Sequence, residues 1–229
     1  MYILHPPGGV AGGDSLEIVC HVEAGARALL TTPGATKFYR SGGGASRQST
    51  TIDVGRRGIC EHLPQETIVF DGADASIETR VDLAPDATYV GWEFTSLGRP
   101  AAGEAFSKGS MRQRVQVVRG GRPIWYDRLA LTGGSPLSAA SFAFAAKPIF
   151  GVMIYAGPMI EDLADRIRAA TGPLAAVGAF AASQLEDVVA CRYLGASMSE
   201  AKGLFLRAWE VLREVGLGKP AIRPRIWST

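Results

Sequence analysis

The feature that most constrains the fold of this chain is an internal repeat with a period of about 30 residues. Three segments, which start at Val22, Ile52 and Val81, share a pattern in which an alternating strand leads into a small-residue turn and a second short strand. Alternation with period two turns one face of each strand inward, and the glycine or Pro-Asp turn then reverses the chain. A looser fourth copy runs through residues 115–126. Such units stack, so that each one buries the apolar face of its neighbour.

The repeat predicts a mainly β fold, in which stacked β-sheets form a β-helix-like (solenoid) architecture across residues 1–157. A plain sandwich of regularly spaced strands gives the same pattern, so the sequence leaves the choice between solenoid and sandwich open. Residues 158–229 are predicted to form a small helix-strand-helix portion. We expect this C-terminal portion to pack on the β region within one continuous domain.

The C-terminal portion carries local signals for two helices. Apolar residues recur at helical spacing over residues 158–171, which predicts the first helix. A capping box over Ser197–Glu200 opens the second helix, and Gly216 is expected at the position that follows its last residue. Residues 183–194 are predicted to form a strand between the helices. The tail from Lys219 is expected to be extended, because its two prolines disfavour a helix.

Composition and charge argue against several classes of protein. The chain has 24 basic and 22 acidic residues, and its basic residues do not form the block or stripe that is typical of a nucleic-acid binder. Cys20, Cys60 and Cys191 lie far apart without a CxxC pair, which favours a reducing compartment over a disulfide framework. Neither a signal peptide nor a membrane-spanning segment is recognised. We therefore expect a cytoplasmic protein that binds neither nucleic acid nor membrane.

No familiar catalytic signature is found in the chain, since GxSxG, GxxxxGK and HExxH are all absent. Residues 8–14 are rich in glycine, but they lack the lysine of a phosphate loop and precede a strand, whereas a phosphate cradle needs the amides of a helix N-terminus. We expect this segment to form a pair of sharp turns at positive φ, with the Asp14 carboxylate as their cap.

Cys60 and His62 are candidate metal ligands. They lie two residues apart in a predicted strand and so share a face, and thiolate and imidazole both bind soft or borderline metals. Cys20 and His21 are adjacent and point to opposite faces, so they do not easily share one ion. Two ligands alone make an incomplete site, and a free cysteine in a strand is more often a small core residue. The core interpretation is therefore placed ahead of the metal interpretation.

The segment of residues 61–73 places polar groups in an otherwise apolar β region. Its carboxylates Glu66 and Asp71 would be costly to bury without partners, and Pro64 interrupts the strand ladder. Arg99 is a candidate partner on a neighbouring repeat. The sequence leaves open whether these residues form an ion-pair network that holds the repeats together or line a functional site.

Five blocks of the chain, taken together and in order, resemble those of the UreD (UreD/UreH) family of urease accessory proteins. The blocks are residues 8–14, residues 31–40, residues 63–73, residues 97–104 and the tail at residues 224–229. Within them, the residues taken as family motif are Gly8, Gly9, Gly12, Gly13, Pro64, Gln65, Gly72, Gly98 and Gly103.

The resemblance implies a non-enzymatic scaffold for nickel insertion into urease. Such a protein binds the accessory protein UreF, which recruits the GTPase UreG, and the assembly docks on apo-urease and helps load nickel into a site that contains a carbamylated lysine. No tightly bound cofactor is implied, although nickel would be held transiently. Asp14, Glu66, Asp71, Arg99 and Glu104 would then either hold the fold or line an internal hydrophilic path for the ion.

The chain departs from the family pattern at its start. Family members carry a further segment before the double-glycine block, which here begins at residue 8. Either the start codon is assigned too late or the form is a shortened one, in which case the first strand would expose an unpaired edge.

Two other functions remain open at the level of sequence. One is a metal-dependent hydrolase that uses Cys60, His62 and nearby carboxylates. The other is a β-solenoid binding module that is unrelated to nickel.

Overall fold

Two facing sheets form the β region of the computed structural model, which describes residues 1–174 and 177–228. The first sheet has the strand order β1-β4-β7-β9-β10, and the second has the order β12-β13-β11-β8-β5-β2, with β3 and β6 attached beside β8. The strands are β1 Ser15–Val22, β2 Arg27–Leu30, β3 Thr36–Phe38, β4 Ser46–Val54, β5 Ile59–His62, β6 Thr67–Val69, β7 Asp74–Leu83, β8 Thr88–Leu97, β9 Ser110–Arg119, β10 Arg122–Thr132, β11 Ile149–Ala156, β12 Ala179–Gln184 and β13 Val189–Gly195. The helices are α1 Pro136–Ala139, α2 Leu163–Thr171 and α3 Met198–Val211.

The β region is a solenoid, as the repeat predicts. Each coil passes from the first sheet to the second, first through β1, β2 and β3, next through β4, β5 and β6, and then through β7 and β8. Strands of successive coils pair in parallel in both sheets, which distinguishes this arrangement from a plain antiparallel sandwich. The mainly β, stacked architecture with a C-terminal helical portion is confirmed.

The register between coils differs from the predicted alignment at one step. Ile52 pairs with Val81 as expected, but the partner of Ile52 in the first coil is Cys20 and not Val22. The displacement is two residues, which leaves every side chain on its expected face because strands have period two. The pattern therefore identified the faces correctly even where the alignment was wrong.

The fourth copy of the repeat does not form a fourth coil. After β9 the chain turns at Gly120 and Gly121, whose φ angles of 55° and 83° suit the two-residue turn of an antiparallel hairpin. β10 then pairs back along β9 in the first sheet, and so it becomes the edge of that sheet.

In the C-terminal portion the predicted elements exist, but several boundaries were wrong. The first helix begins at Leu163 and not at residue 158, because Asp162 before it takes a left-handed φ of 56°. The single strand predicted over residues 183–194 is part of a hairpin of β12 and β13, which is closed by a hydrogen bond from the Leu185 amide to the Val188 carbonyl. β13 pairs with β11, so this hairpin extends the second sheet.

The second helix begins as its capping box predicts, since the Ser197 hydroxyl accepts a hydrogen bond from the Glu200 amide at 3.2 Å. Its end was predicted wrongly: a π-helical turn continues through Leu212–Gly216, and the glycine with positive φ is Gly218. The tail is irregular only as far as residue 224, after which Arg225–Ser228 form a 3-10 turn. The last residue of the tail motif, Thr229, lies outside the described residues.

A largely buried ion pair anchors the C-terminal portion to the solenoid. The Arg213 guanidinium reaches both oxygens of Glu61 in β5, at 2.9 Å and 2.6 Å, and the Trp209 indole donates to the same carboxylate at 2.7 Å. The side chains of Arg213 and Glu61 are 17% and 6% exposed, so water screens their attraction little. Together they lock α3 over the second sheet, where the largest apolar cluster lies.

No helix within residues 1–174 and 177–228 combines the length and the apolar character needed to cross a bilayer.

We expect Arg213→Ala to lower the free energy of unfolding by about 3 to 5 kcal/mol, because it leaves the Glu61 charge buried without its partner. Urea unfolding at neutral pH measures this loss. Arg207→Ala is the matched control, since Arg207 pairs with Glu210 at the surface of α3, one turn or two before Arg213, and its loss is expected to cost about 1 kcal/mol or less. Equal losses in the two variants would contradict the anchoring role of Glu61.

Candidate functional site

A band of polar side chains runs through the space between the two sheets. It separates two apolar clusters, one around Ile52, Val81 and Val117 and the other around Ile77 and Met111. The band consists of inward-facing residues on neighbouring strands, namely Gln48, Thr50, His62, Thr79, Glu93, Thr95 and Gln113. Polar groups between sheets are costly to bury, so their alignment is a feature that requires a structural or functional reason.

The band borders a cavity at one end and a groove at the other. The cavity has a volume of about 550 Å³, and its walls include His62, Gln48 and Thr79. The groove has a volume of about 370 Å³ and lies beside the edge of the first sheet. Glu93 lines both spaces, so it stands at the point where they approach each other.

Hydrogen bonds hold Glu93 in this position. Gln113 Nε2 donates to Glu93 Oε2 at 2.6 Å, while Gln113 Oε1 accepts from the Thr95 hydroxyl at 3.2 Å. Burial raises the pKa of Glu93, hydrogen bonds from Thr79 and Gln113 oppose that rise, and the nearby charge of Asp127 adds to it. The carboxyl group therefore holds its proton more tightly than a solvated glutamate does.

His62 faces the cavity with an unsatisfied ring nitrogen. Its side chain is buried, and Nδ1 has no hydrogen-bond partner among the described residues. Burial lowers the pKa of His62 to about 4, so the imidazole is neutral at physiological pH. Gln48 Oε1, which borders the same cavity, also lacks a described partner. A neutral imidazole and an amide oxygen are donors that a borderline cation accepts.

Cys60 does not join His62 at this cavity. It is fully buried in the apolar cluster on the other side of the band, and burial raises the pKa of its thiol to about 12. The thiol is therefore protonated near neutrality, which disfavours metal binding. No group of three or more His, Cys, Asp and Glu side chains that could hold a metal ion occurs in the described part of the chain.

The five polar residues singled out in the sequence lie outside the band, and none of them lines the cavity. Asp14 accepts a hydrogen bond from the Ala11 amide at 3.1 Å, and the predicted turns are confirmed by φ angles of 71° at Gly8 and 90° at Gly13. Glu66 pairs with Lys202 of α3 at 2.5 Å, and Arg99, the candidate partner for the carboxylates of this segment, pairs with Glu104 instead.

The remaining three residues form one cluster at an end of the solenoid. Arg99 and Glu104 pair at 2.6 Å, and Glu104 accepts a hydrogen bond from the Asp71 amide. The Asp71 carboxylate in turn accepts from the amides of Ser107 and Lys108, which lowers its pKa. The cluster therefore closes two loops. Motif residues of the same loops, Gly72, Gly98 and Gly103, take the positive φ angles of 80°, 75° and 71° that such turns need.

Other motif residues lie closer to the cavity. Gly8, Pro64 and Gln65 contribute to its wall. Gly9 permits a close approach of chains, because a Cβ atom there would lie 2.5 Å from the Tyr39 ring, and Gly12 packs against Ser41. These residues shape the region around the cavity mouth but carry no titratable group.

Sequence reasoning missed Glu93, Gln113 and the internal role of His62. The available signal was the run Trp92-Glu-Phe-Thr95, which places a charged residue between large apolar ones in a strand. Both faces of β8 are covered, by the first sheet on one side and by the helices on the other, so an acidic residue in it must lie inside the protein.

Comparison with known proteins agrees with the resemblance seen in the sequence. The family model described as UreD urease accessory protein matches residues 1–228. A urease accessory protein UreD 2 from Brucella anthropi is 61% identical over 229 residues, which cover 100% of this chain and 83% of the relative. The urease accessory proteins UreD of Dechloromonas aromatica and Nitrosococcus oceani are 44% and 41% identical, over 99% of this chain and 80% and 76% of their own lengths.

We expect His62 to make the stability of the protein depend on pH. Its pKa is about 4 in the folded state against 6.5 for a solvated histidine, so the unfolded state binds the proton more tightly between these values. The contribution of His62 to the free energy of unfolding is therefore fully present above pH 6.5, and about 3 kcal/mol of it is lost as the pH drops to 4. Urea unfolding across this range should show a smaller loss in His62→Gln than in the wild type.

The control for this experiment is His21→Gln, which removes a histidine whose side chain is 65% exposed. The His21→Gln variant should keep the pH profile of the wild type. If His62→Gln keeps it as well, the neutral buried imidazole is not the cause of the pH dependence.

Proposed function

Because the chain belongs to the UreD family of urease accessory proteins, we propose that it acts in the cytoplasm as a scaffold through which nickel reaches apo-urease. The observation that carries this proposal is the polar band between the sheets, where Glu93 lines both the cavity and the groove. A protein that only presents surfaces to partners gains nothing from a buried row of polar groups, whose desolvation lowers stability. A path for an ion explains why the buried polar row is present.

The donors along the band suit transient binding of Ni²⁺. A divalent first-row ion accepts imidazole nitrogen and carboxylate or amide oxygen, and these are the groups that His62, Glu93 and Gln48 present. Each position offers only one or two protein donors, so the ion keeps part of its water and is released easily. This matches a cargo that must leave, whereas a closed set of four ligands would retain it.

Glu93 has the central role in this proposal. Burial raises its pKa, and an arriving cation supplies the charge partner that offsets the cost of keeping an ionised carboxylate buried. The hydrogen bond from Gln113 Nε2 keeps the carboxyl oriented while the ion is absent. His62 provides the preceding donor on the cavity side.

The scaffold part of the proposal concerns three partners, namely a UreF-type accessory protein, a UreG-type GTPase and the apo-urease subunits. Exposed apolar side chains next to the groove support a protein-binding role. Phe142 is 88% exposed and Val177 is 83% exposed, and both adjoin chain segments that line the groove. A partner that covers these residues would also cover the groove end of the band.

We expect Glu93→Gln to reduce the nickel content of urease severalfold to about tenfold, because the substitution keeps the hydrogen-bonding shape but removes the charge that stabilises the ion. The measurement is the metal content and activity of urease purified from cells that express the variant at wild-type level. Recovery of the partner proteins with the tagged variant checks that the assembly still forms. His62→Gln provides a second, independent interruption of the same path.

Glu66→Gln and Glu104→Gln are the matched controls, because they remove the same charge from residues that lie outside the band. We expect both to leave the nickel content of urease unchanged. Normal nickel content in Glu93→Gln and His62→Gln would contradict the internal path. A loss in Glu104→Gln alone would instead place the ion at the loop cluster.

A further inference from the structure

An ion pair stands where the polar band meets the groove. Asp127 of β10 faces inward, and its Oδ2 lies 3.0 Å from Arg192 Nη2 of β13, so the pair bridges the two sheets. Both residues line the groove together with Glu93 and Gln113. The side chains of Arg192 and Asp127 are 59% and 34% exposed, which places the pair at the boundary between the band and solvent.

A cation–π contact of Arg192 and a second ion pair between the same elements hold Arg192 in this position. Its guanidinium lies over the Trp125 ring, 5.3 Å from the ring centre, in the geometry of a cation–π interaction. A second ion pair, between Arg122 of β10 and Asp187 of the β12–β13 hairpin at 2.6 Å, also holds β10 against this hairpin. The guanidinium therefore has a defined place, unlike a long side chain that is free in solvent.

The charge of Arg192 opposes the passage of a cation at this point. Asp127 and Glu93 are the two carboxyl groups among the residues that line the groove. With Arg192 in place, the charge of Asp127 is already neutralised, and a dication within a few ångströms of the guanidinium is repelled. Without it, the same carboxylates form an attractive position for the ion.

We propose that Arg192 closes the groove-side mouth of the polar band, and that the Asp127–Glu93 pair becomes a binding position for a divalent cation when the guanidinium moves away. This inference rests on the proposed nickel path and adds its control. An anionic group that draws Arg192 off Asp127 opens the mouth, so passage of the ion is coupled to what occupies the groove.

The lining of the groove favours a partner segment that carries an anionic group. The second sheet continues through β13 and β12 past β10, which is the edge of the first sheet, and its overhanging part exposes an apolar floor. The floor includes Phe150, Val152 and Leu194, and the two basic residues beside it are Arg128 and Arg192. A partner segment with apolar side chains and a carboxylate complements both features.

The test measures Ni²⁺ binding to the isolated full chain by competition with a chromophoric chelator. We expect Arg192→Gln to bind Ni²⁺ at least about tenfold more tightly than the wild type, because a positive charge a few ångströms from a dication has been removed. Arg192→Lys, which keeps the charge, should stay within about twofold of the wild type. If Arg192→Gln impairs folding, Arg192→Met keeps the aliphatic stem that packs on Trp125.

Arg128→Gln is the matched control, because Arg128 lines the same groove but forms no ion pair with Asp127. It should bind Ni²⁺ like the wild type to within about twofold, since its charge does not neutralise that carboxylate. In the double variant Arg192→Gln/Glu93→Gln the gain should disappear.

Two results would overturn the gate. One is equal affinity in Arg192→Gln and Arg128→Gln, and the other is a gain that persists in the double variant. Ni²⁺ binding to the isolated chain is measured separately from the nickel content of urease. A failed gate can therefore be distinguished from a failed nickel path.

Discussion

Parallel pairing between successive coils is the constraint on which the rest of this structure depends. Because β1, β4, β7 and β9 pair in parallel and in register, each inward position of one coil lies beside an inward position of the next. Apolar positions therefore form continuous layers, and so do polar ones. The band that contains Thr50 and Thr79 is a consequence of this stacking, as these two residues are direct partners in the register.

The band has a cost that the apolar layers offset. Gln113 forms hydrogen bonds with both Glu93 and Thr95. The ring nitrogen Nδ1 of His62 and the amide oxygen of Gln48, in contrast, have no hydrogen-bond partner among the described residues. Buried polar atoms without partners lower stability, and functional sites are where proteins accept such a loss. The apolar clusters on both sides of the band keep the sheets together, so the polar row lies between the sheets without separating them.

The C-terminal portion makes the groove as well as covering the second sheet. Glu61 and Arg213 hold α3 in place, and the packing of α2 and α3 on the outer face supports the β12–β13 hairpin. That hairpin extends the second sheet beyond the first and brings Arg192 to Asp127. The groove and the proposed gate therefore share one structural origin.

The sequence by itself determined the repeat, the mainly β class, the faces of the strands, the glycine turns and the capped start of α3, because each of these follows from local periodicity or backbone preference. It also identified the family. Only the tertiary structure decided which side chains meet. Glu66 pairs with Lys202 and Asp127 with Arg192, partners far away in the chain, and Glu93 belongs to the band because of how the coils stack. The two-residue periodicity of a strand shows which face each residue occupies, but it does not show which strand lies opposite. Ion pairs and cavities depend on that opposite strand.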